Sequence, residues 1–317
     1  VTDRLAIEAE GLTKAFGEIN VVAGVDLMVP QGGVFSLLGP NGAGKTTAVR
    51  ILATLLGSDA GTARVAGFDV VTQRRQVRQR ISLTGQYAAL DELQSGEENL
   101  RMMGRLRHLS AAQSRIRASQ LLAQFDLEEA AGRRVGEYSG GMRRRLDLAA
   151  SLVSRPEVLF LDEPTTGLDP RSRLAMWHTI TELASSGVTV FLTTQYLDEA
   201  DQIADRIAVI DRGHLVAEGT ADELKRQVSG HRLDLTMGDR ATYDLMFDAV
   251  GTRAVSLDPA ARVIGLPTSG QAAEVRDLLD RLDPARLLVS EFAVHTSTLD
   301  DVFMALTSQP NKEPINV

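Results

Sequence analysis

Between positions 39 and 47 the chain reads Gly-Pro-Asn-Gly-Ala-Gly-Lys-Thr-Thr, and this nonapeptide leaves the fold little freedom. Gly39, Gly44, Lys45 and Thr46 occupy the four fixed positions of the pattern G-x-x-x-x-G-K-[ST]. Chance alone would do this in something on the order of 1% of chains this long, so the flanks decide. Val34-Phe-Ser-Leu-Leu38 before it reads as a short buried strand, and Ala48 to Leu56 after it as an apolar-faced helix. A strand, loop and helix in that order form a phosphate cradle. Glycines let the backbone of Gly39, Pro40, Asn41, Gly42, Ala43 and Gly44 wrap closely round phosphates with its N–H groups turned inward. The helix beginning at Lys45, Thr46 and Thr47 adds its positive end. Lys45 supplies a mobile charge for the β- and γ-phosphates of ATP, and the Thr46 hydroxyl is placed to ligate Mg²⁺.

Bulk properties narrow the rest. The 317 residues permit one large domain or two modest ones, and 44% hydrophobic residues suffice for a real core. A formal net charge of -8 argues against a nucleic-acid binder working by bulk charge. There is no cysteine, hence no disulfide, zinc-thiolate site or thiol nucleophile. Val1-Thr-Asp-Arg4 opens the chain without the apolar core of a signal peptide. Runs such as Val158-Leu-Phe-Leu161 stop far short of the ~20 residues of a membrane helix. A soluble chain is expected, with any membrane span supplied by another chain.

Taken in order, Leu5 to Leu12 alternates as a half-buried strand, and Phe16 follows in a turn. Phe16 is equally consistent with a core aromatic and with a ring stacked on a nucleotide base. Val21 to Val29 is a second strand, Gly61 to Gly67 a strand and turn, and Val71 to Arg80 a basic helix whose arginines read as a solvated face. Ile81 to Thr84 is a strand leading to Gln86. By itself Gln86 reads as a surface loop residue, although its amide oxygen could lie near a metal. Glu97 to Phe125 is helical in pattern and marks a separate helical subdomain.

Ser139 is an N-cap, and Gly140-Gly141 opens a helix with bare N–H groups, an anion site in waiting. Arginines in that first turn oppose the helix dipole unless something negative is near. Val158 to Leu161 reads as a fully buried parallel strand, and it ends in Asp162 and Glu163, where open α/β sheets place ligands. Asp162 is placed for Mg²⁺ and Glu163 to act on an attacking water. A second buried strand, Val188 to Thr194, ends at Gln195. Arg206 to Gly219 reads as a hairpin through Arg212-Gly213, and Ala221 to Val228 as the last helix of the first domain. From Ser229 the elements run β-α-β-β-α-β, the order of a ferredoxin-like unit, closed by a helix from Thr298 to Thr307. Gln309 to Val317 reads as a loose polar tail.

These motifs together resemble the nucleotide-binding domain of ATP-binding cassette (ABC) ATPases. Gly39 to Thr46 look like Walker A, Gln86 like the Q-loop, and Ser139-Gly140-Gly141 like the signature. Asp162 resembles the Walker B aspartate, Glu163 the catalytic glutamate and Asp169 the D-loop residue, while Phe16 looks like the base-stacking aromatic. The resemblance implies a RecA-like α/β core with an antiparallel β subdomain and a helical subdomain at about 95–155, all within residues 1–228. A small α+β accessory domain at 229–308 and the tail 309–317 follow. Tyr138 to Asp147, Thr193 to Asp201 and Leu299 to Leu306 resemble the drug-exporting branch of the family and extend the likeness to nearly the whole chain.

The resemblance further implies ATP hydrolysis with Mg²⁺ held by Thr46, Asp162 and Gln86. Glu163, Lys45 and Gln195 would be the catalytic groups. It also implies a head-to-tail dimer in which the Ser139-Gly140-Gly141 and Asp169 regions of one copy close on ATP bound to the other. A transmembrane permease, docked at Gln86 and the Glu97–Phe125 segment, would place the chain at the cytoplasmic face of the membrane. Two positions depart from the family pattern. Met142 replaces the usual glutamine, and Gln195 replaces the switch histidine, so this position cannot become a cation. Other readings are an ABC ATPase of translation or DNA repair and an ATP-binding regulator. One Walker A, no sustained heptads between Lys45 and Ser139 and the presence of Glu163 speak against them.

Overall fold

The computed structural model describes residues 4–85, 90–228, 231–295 and 298–307. The chain divides into two compact units, Val1–Thr220 and Ala221–Val317.

In the first unit, β1 (Leu5–Phe16) and β2 (Ile19–Pro30) form a hairpin that turns at Gly17, whose φ of 61° suits glycine. The fully buried β3 (Val34–Leu38) leads through the glycine loop into α1 (Lys45–Leu52). Then come β4 (Ala60–Val65), β5 (Phe68–Asp69), α2 (Arg74–Arg80) and β6 (Ile81–Thr84). The helices α3 (Gly96–Leu106), α4 (Ala111–Gln124) and α5 (Gly140–Ser151) precede β7 (Val158–Asp162). After α6 (Pro170–Ser185) come β8 (Thr189–Thr194), α7 (Leu197–Ile203), β9 (Arg206–Asp211) and β10 (His214–Gly219).

Two sheets result. An antiparallel sheet has the order β2-β1-β4-β5. The other has the order β10-β9-β3-β8-β7-β6, parallel except for β10 at its edge. Its strands read as unbroken apolar runs because both faces are covered. Phe35, Leu37, Phe160 and Phe191 join β1, β2 and α1 in one core, while Val34, Leu159, Leu161, Val190 and Leu192 pack with α3 to α6 in a second. Phe35 stacks on Phe191 at 5.5 Å between ring centroids. The segment expected to be helical from Glu97 to Phe125 is two helices. The chain breaks at His108, held at φ 64°, and restarts where Ser110 and Gln113 cap each other reciprocally.

The second unit comprises α8 (Ala221–Val228), β11 (His231–Met237), α9 (Arg240–Val250), β12 (Ser256–Asp258), β13 (Val263–Thr268), α10 (Ala272–Leu282), β14 (Val289–His295) and α11 (Leu299–Thr307). Its sheet is antiparallel with order β12-β13-β11-β14, the strand order of a ferredoxin-like fold. Alternate residues of β11, namely Leu233, Leu235 and Met237, bury against Tyr243, Met246 and Val250 of α9. Helix α8 packs on α11, so the unit begins at Ala221 rather than after Val228. The tail, residues 309–317, lies outside the described residues.

Candidate active site

The site forms where β3, β7 and β8 end side by side, at the carboxyl edge of the parallel sheet. Two loop glycines are fixed by space. A Cβ on Gly39 would come within 2.2 Å of the Ile210 carbonyl oxygen, and one on Gly44 within 2.2 Å of the Val21 carbonyl oxygen. Gly44, the N-cap of α1, also holds φ at 105°, which L side chains rarely adopt. Gly39 donates its N–H to the Thr194 carbonyl at 3.1 Å, tying the loop to the end of β8.

Lys45 is 4% exposed. Its ammonium donates to the carbonyls of Gly39 (2.7 Å) and Pro40 (3.0 Å) and pairs with Glu163 Oε1 at 3.7 Å, beyond hydrogen-bond length. Burial pulls its pKa below the usual lysine value, and the charges of Glu163 and Asp162 oppose that shift. Asp162 Oδ1 accepts hydrogen bonds from Thr193 Oγ1 at 2.6 Å and Thr46 Oγ1 at 3.1 Å. Glu163 lies directly after β7 with φ 51°, a left-handed conformation uncommon for a glutamate. Its N–H donates to both the carbonyl and the hydroxyl of Thr193, and its Oε2 accepts from Thr166 at 3.3 Å. Lys45, Thr46, Asp162 and Glu163, drawn from two distant stretches of sequence, therefore meet in one cluster, with Thr46 half-buried and the other three buried.

Thr193 was not singled out by sequence reading, although it joins both carboxylate residues. The only signal was a pair of threonines ending an apolar strand. Arg144 was also missed, hidden in the run Arg143-Arg144-Arg145. It donates to the carbonyls of Pro164 and Gly85 at 2.9 Å each, and at 3.4 Å to that of Glu163. Burial lowers its pKa, while Asp147, Asp162 and Glu199 favour its charged form. Glu199 on α7 is fully buried and accepts from the Trp177 indole N–H at 3.1 Å. Burial raises its pKa; the hydroxyls of Thr194 and Thr165 and the Trp177 N–H pull the other way.

The remaining expected residues lie elsewhere. Phe16 is 51% exposed at the hairpin turn, with the Lys14 ammonium 5.6 Å from its ring centroid. This excludes the core-aromatic reading. Ser139 caps α5 by accepting from the Met142 N–H at 3.2 Å, and Ser139 and Gly140 are exposed. A Cβ on Gly141 would meet Ser172 Oγ at 2.7 Å. Ser172 in turn donates to Asp169 through its N–H (2.9 Å) and hydroxyl (2.6 Å), and these bonds lower the Asp169 pKa. The signature and Asp169 thus adjoin through one serine. Gln195 is half-buried after β8, and Gln86 lies outside the described residues.

A phosphate loop under a parallel sheet, with a lysine and two carboxylates at its strand ends, defines an ATPase of the P-loop class. Residues 22–166 match the family model described as ABC transporter, and the chain belongs to the ATP-binding subunits of that family. It is 50% identical over 308 residues to the daunorubicin/doxorubicin resistance ATP-binding protein DrrA of Streptomyces peucetius, covering 96% of this chain and 93% of the relative. It is 44% identical over 317 residues to the doxorubicin resistance ATP-binding protein DrrA of Mycobacterium tuberculosis, covering 98% and 96%. Among solved structures it resembles an ATP-binding subunit of an ABC transporter, with 27% identity, a TM-score of 0.63 and coverage of 71% of this chain and 93% of that one. The ADP conformation of another ABC cassette, 24% identical with a TM-score of 0.64, shares the fold.

Proposed function

We propose that this chain hydrolyses ATP to drive export of a hydrophobic drug or lipid through a separate transmembrane partner. The observation that carries the chemistry is the Lys45–Thr46–Asp162–Glu163 cluster under the glycine loop, three of whose members are buried. Its relatives' resistance names suggest the cargo, and no helix among the described residues is long and apolar enough to cross a membrane.

In the proposed reaction the inward N–H groups of the loop bind the ATP phosphates, and Lys45 exchanges its two carbonyl contacts for phosphate oxygens. Glu163, held by Thr166 and by its own strained backbone, orients the attacking water and accepts its proton. A magnesium ion fits the donor set. The Thr46 hydroxyl and the Asp162 carboxylate are hydrogen-bonded to each other, and among the described residues no group of three or more acidic, histidine or cysteine side chains is placed to hold a metal ion. Magnesium keeps most of its waters and needs only one or two protein ligands. When bound it would neutralise charge on the β- and γ-phosphates. Thr46, Asp162 and Gln86 would hold it, with Thr193 fixing Asp162. Phe16, already at the surface, would stack on the adenine.

The Ser139-Gly140-Gly141 helix start, exposed at Ser139 and Gly140, with helix-start N–H groups and Asp169 beside it, would complete the site of a second copy. Two ATP molecules would then lie in a head-to-tail dimer, at the cytoplasmic face of the membrane under a permease. The test is steady-state ATP hydrolysis by the purified chain, alone and with its transmembrane partner. Turnover raised by the partner supports the reading. ATP binding without turnover in either state would replace it with a regulatory role.

A further inference from the structure

Helix α5 carries three arginines in succession, and they point to different places. Arg143 pairs with the exposed Glu92 at 2.8 Å, and Arg145 donates to the Phe125 carbonyl at 3.0 Å. Arg144 turns inward, with a side chain 12% exposed. Each of its three nitrogens is engaged. Nε donates to the Pro164 carbonyl and Nη1 to the Gly85 carbonyl, both at 2.9 Å, while Nη2 reaches the Glu163 carbonyl at 3.4 Å. Nη1 also lies 3.4 Å from Asp147 Oδ2 on the same helix. The main-chain acceptors belong to two loops that follow neighbouring parallel strands, Gly85 after β6 and Glu163-Pro164 after β7. A long cationic side chain that only solvates a helix face keeps its head in water. A planar guanidinium whose donors all meet fixed oxygens sets geometry instead.

The geometry it sets is that of Glu163. This residue holds φ at 51°, and a non-glycine residue keeps such a conformation only where its surroundings impose it. Two holds do so, one on each side of its Cα. On the amino side its N–H is taken by the Thr193 carbonyl at 3.1 Å and the Thr193 hydroxyl at 3.2 Å. On the carboxyl side Arg144 takes the Glu163 and Pro164 carbonyls together. With the backbone so fixed, the carboxylate stands 3.7 Å from the Lys45 ammonium.

We propose that Arg144 is a positioning residue for ATP hydrolysis: it keeps the Glu163 backbone left-handed and thereby keeps the carboxylate where it meets the attacking water. Without Arg144, Glu163 relaxes toward the ordinary right-handed region and its carboxylate leaves the site. The glycine loop, Lys45 and Thr46 remain to bind nucleotide. The proposal rests on the ATPase reading and adds to it a residue that acts through Glu163 rather than on the nucleotide.

The experiment measures steady-state hydrolysis and nucleotide affinity for the whole chain carrying Arg144→Met, Arg144→Lys or Arg145→Met, and for Glu163→Gln with and without Arg144→Met. Turnover is counted per nucleotide-binding site, so misfolded molecules drop out. A small misplacement of reacting groups costs on the order of 100-fold in rate, and Arg144→Met should lower kcat by that factor with nucleotide affinity unchanged. Arg144→Lys, which keeps the charge and part of the donor set, should recover part of the loss. Arg145→Met, which removes the guanidinium on the Phe125 carbonyl, should leave kcat within error. In the Glu163→Gln background Arg144→Met should cost nothing further, because the group it positions is already gone. Parent-like turnover in Arg144→Met overturns the proposal. So does a full further loss in the Glu163→Gln background, or nucleotide affinity that falls together with kcat. These three results leave the ATPase reading standing. A parent chain without turnover, or one indifferent to Glu163→Gln, removes that reading and the positioning role with it.

Discussion

The two units of this chain bury different things. The first encloses Lys45, Asp147, Asp162, Glu163 and Glu199. The core of the second is aliphatic and aromatic, and its only buried charge among the described residues, Asp283, is spent on capping the N–H groups of Leu287, Leu288 and Val289 at 2.9 Å each. Burying a charge is expensive unless it is paired and hydrogen-bonded. The first unit tolerates that expense at its site, while the described core of the second is built from apolar side chains.

The comparison breaks most sharply at Glu163. Glu163→Gln should lower turnover about 10²- to 10⁴-fold while nucleotide binding and the melting temperature persist, as read by hydrolysis, nucleotide titration and calorimetry. In the second unit Leu235→Ala should do the reverse. It should destabilise that unit by about 2–5 kcal/mol through its cavity, seen in denaturant unfolding, with turnover per folded molecule retained. Thr193→Val removes the donor to Asp162 and an acceptor of the Glu163 N–H. A loss of roughly 1–3 kcal/mol from leaving such groups unpaired should appear as slower hydrolysis at saturating ATP.

Glu199 sharpens the contrast through pH. Its folded pKa is raised above the ordinary glutamate value of 4.5 by burial. The folded chain therefore holds this proton more tightly than the unfolded chain. The resulting stability is complete below about 4.5 and is lost as pH rises through the folded pKa. Glu199→Gln, which can still accept from Trp177, should gain in melting temperature relative to the parent as pH rises through that window. The smallest effect is expected at Gln195. Gln195→His should leave turnover near the parent level but introduce a pH dependence centred near about 6.5. A flat profile would mean that residue 195 does not meet the phosphate.

The sequence made the glycine loop, the buried strands and the Asp162-Glu163 pair legible because each is a local pattern. Strand, loop and helix are contiguous, and two carboxylates ending an apolar run stand out unaided. Thr193 and Arg144 were not legible because their roles depend on which strands lie side by side. The order β3-β8-β7 brings Thr193 to Asp162, and nothing within residues 188–195 encodes that adjacency. The break at His108 was missed because the apolar spacing of α3 carries into α4 across it. The unit boundary was misplaced because Ala221–Val228 follows the β9–β10 hairpin in sequence yet packs on α11, nearly eighty positions later.

The crowding at Gly39 and Gly44 has a consequence for how this protein can change over generations. Every one-letter change at either codon that alters the residue adds at least a Cβ, and each Cβ would strike a backbone carbonyl that cannot swing aside. These positions are closed to gradual drift. Improved variants must be sought in the walls round the loop, and a saturation library should return two empty columns there amid tolerant neighbours such as Asn41, which is exposed.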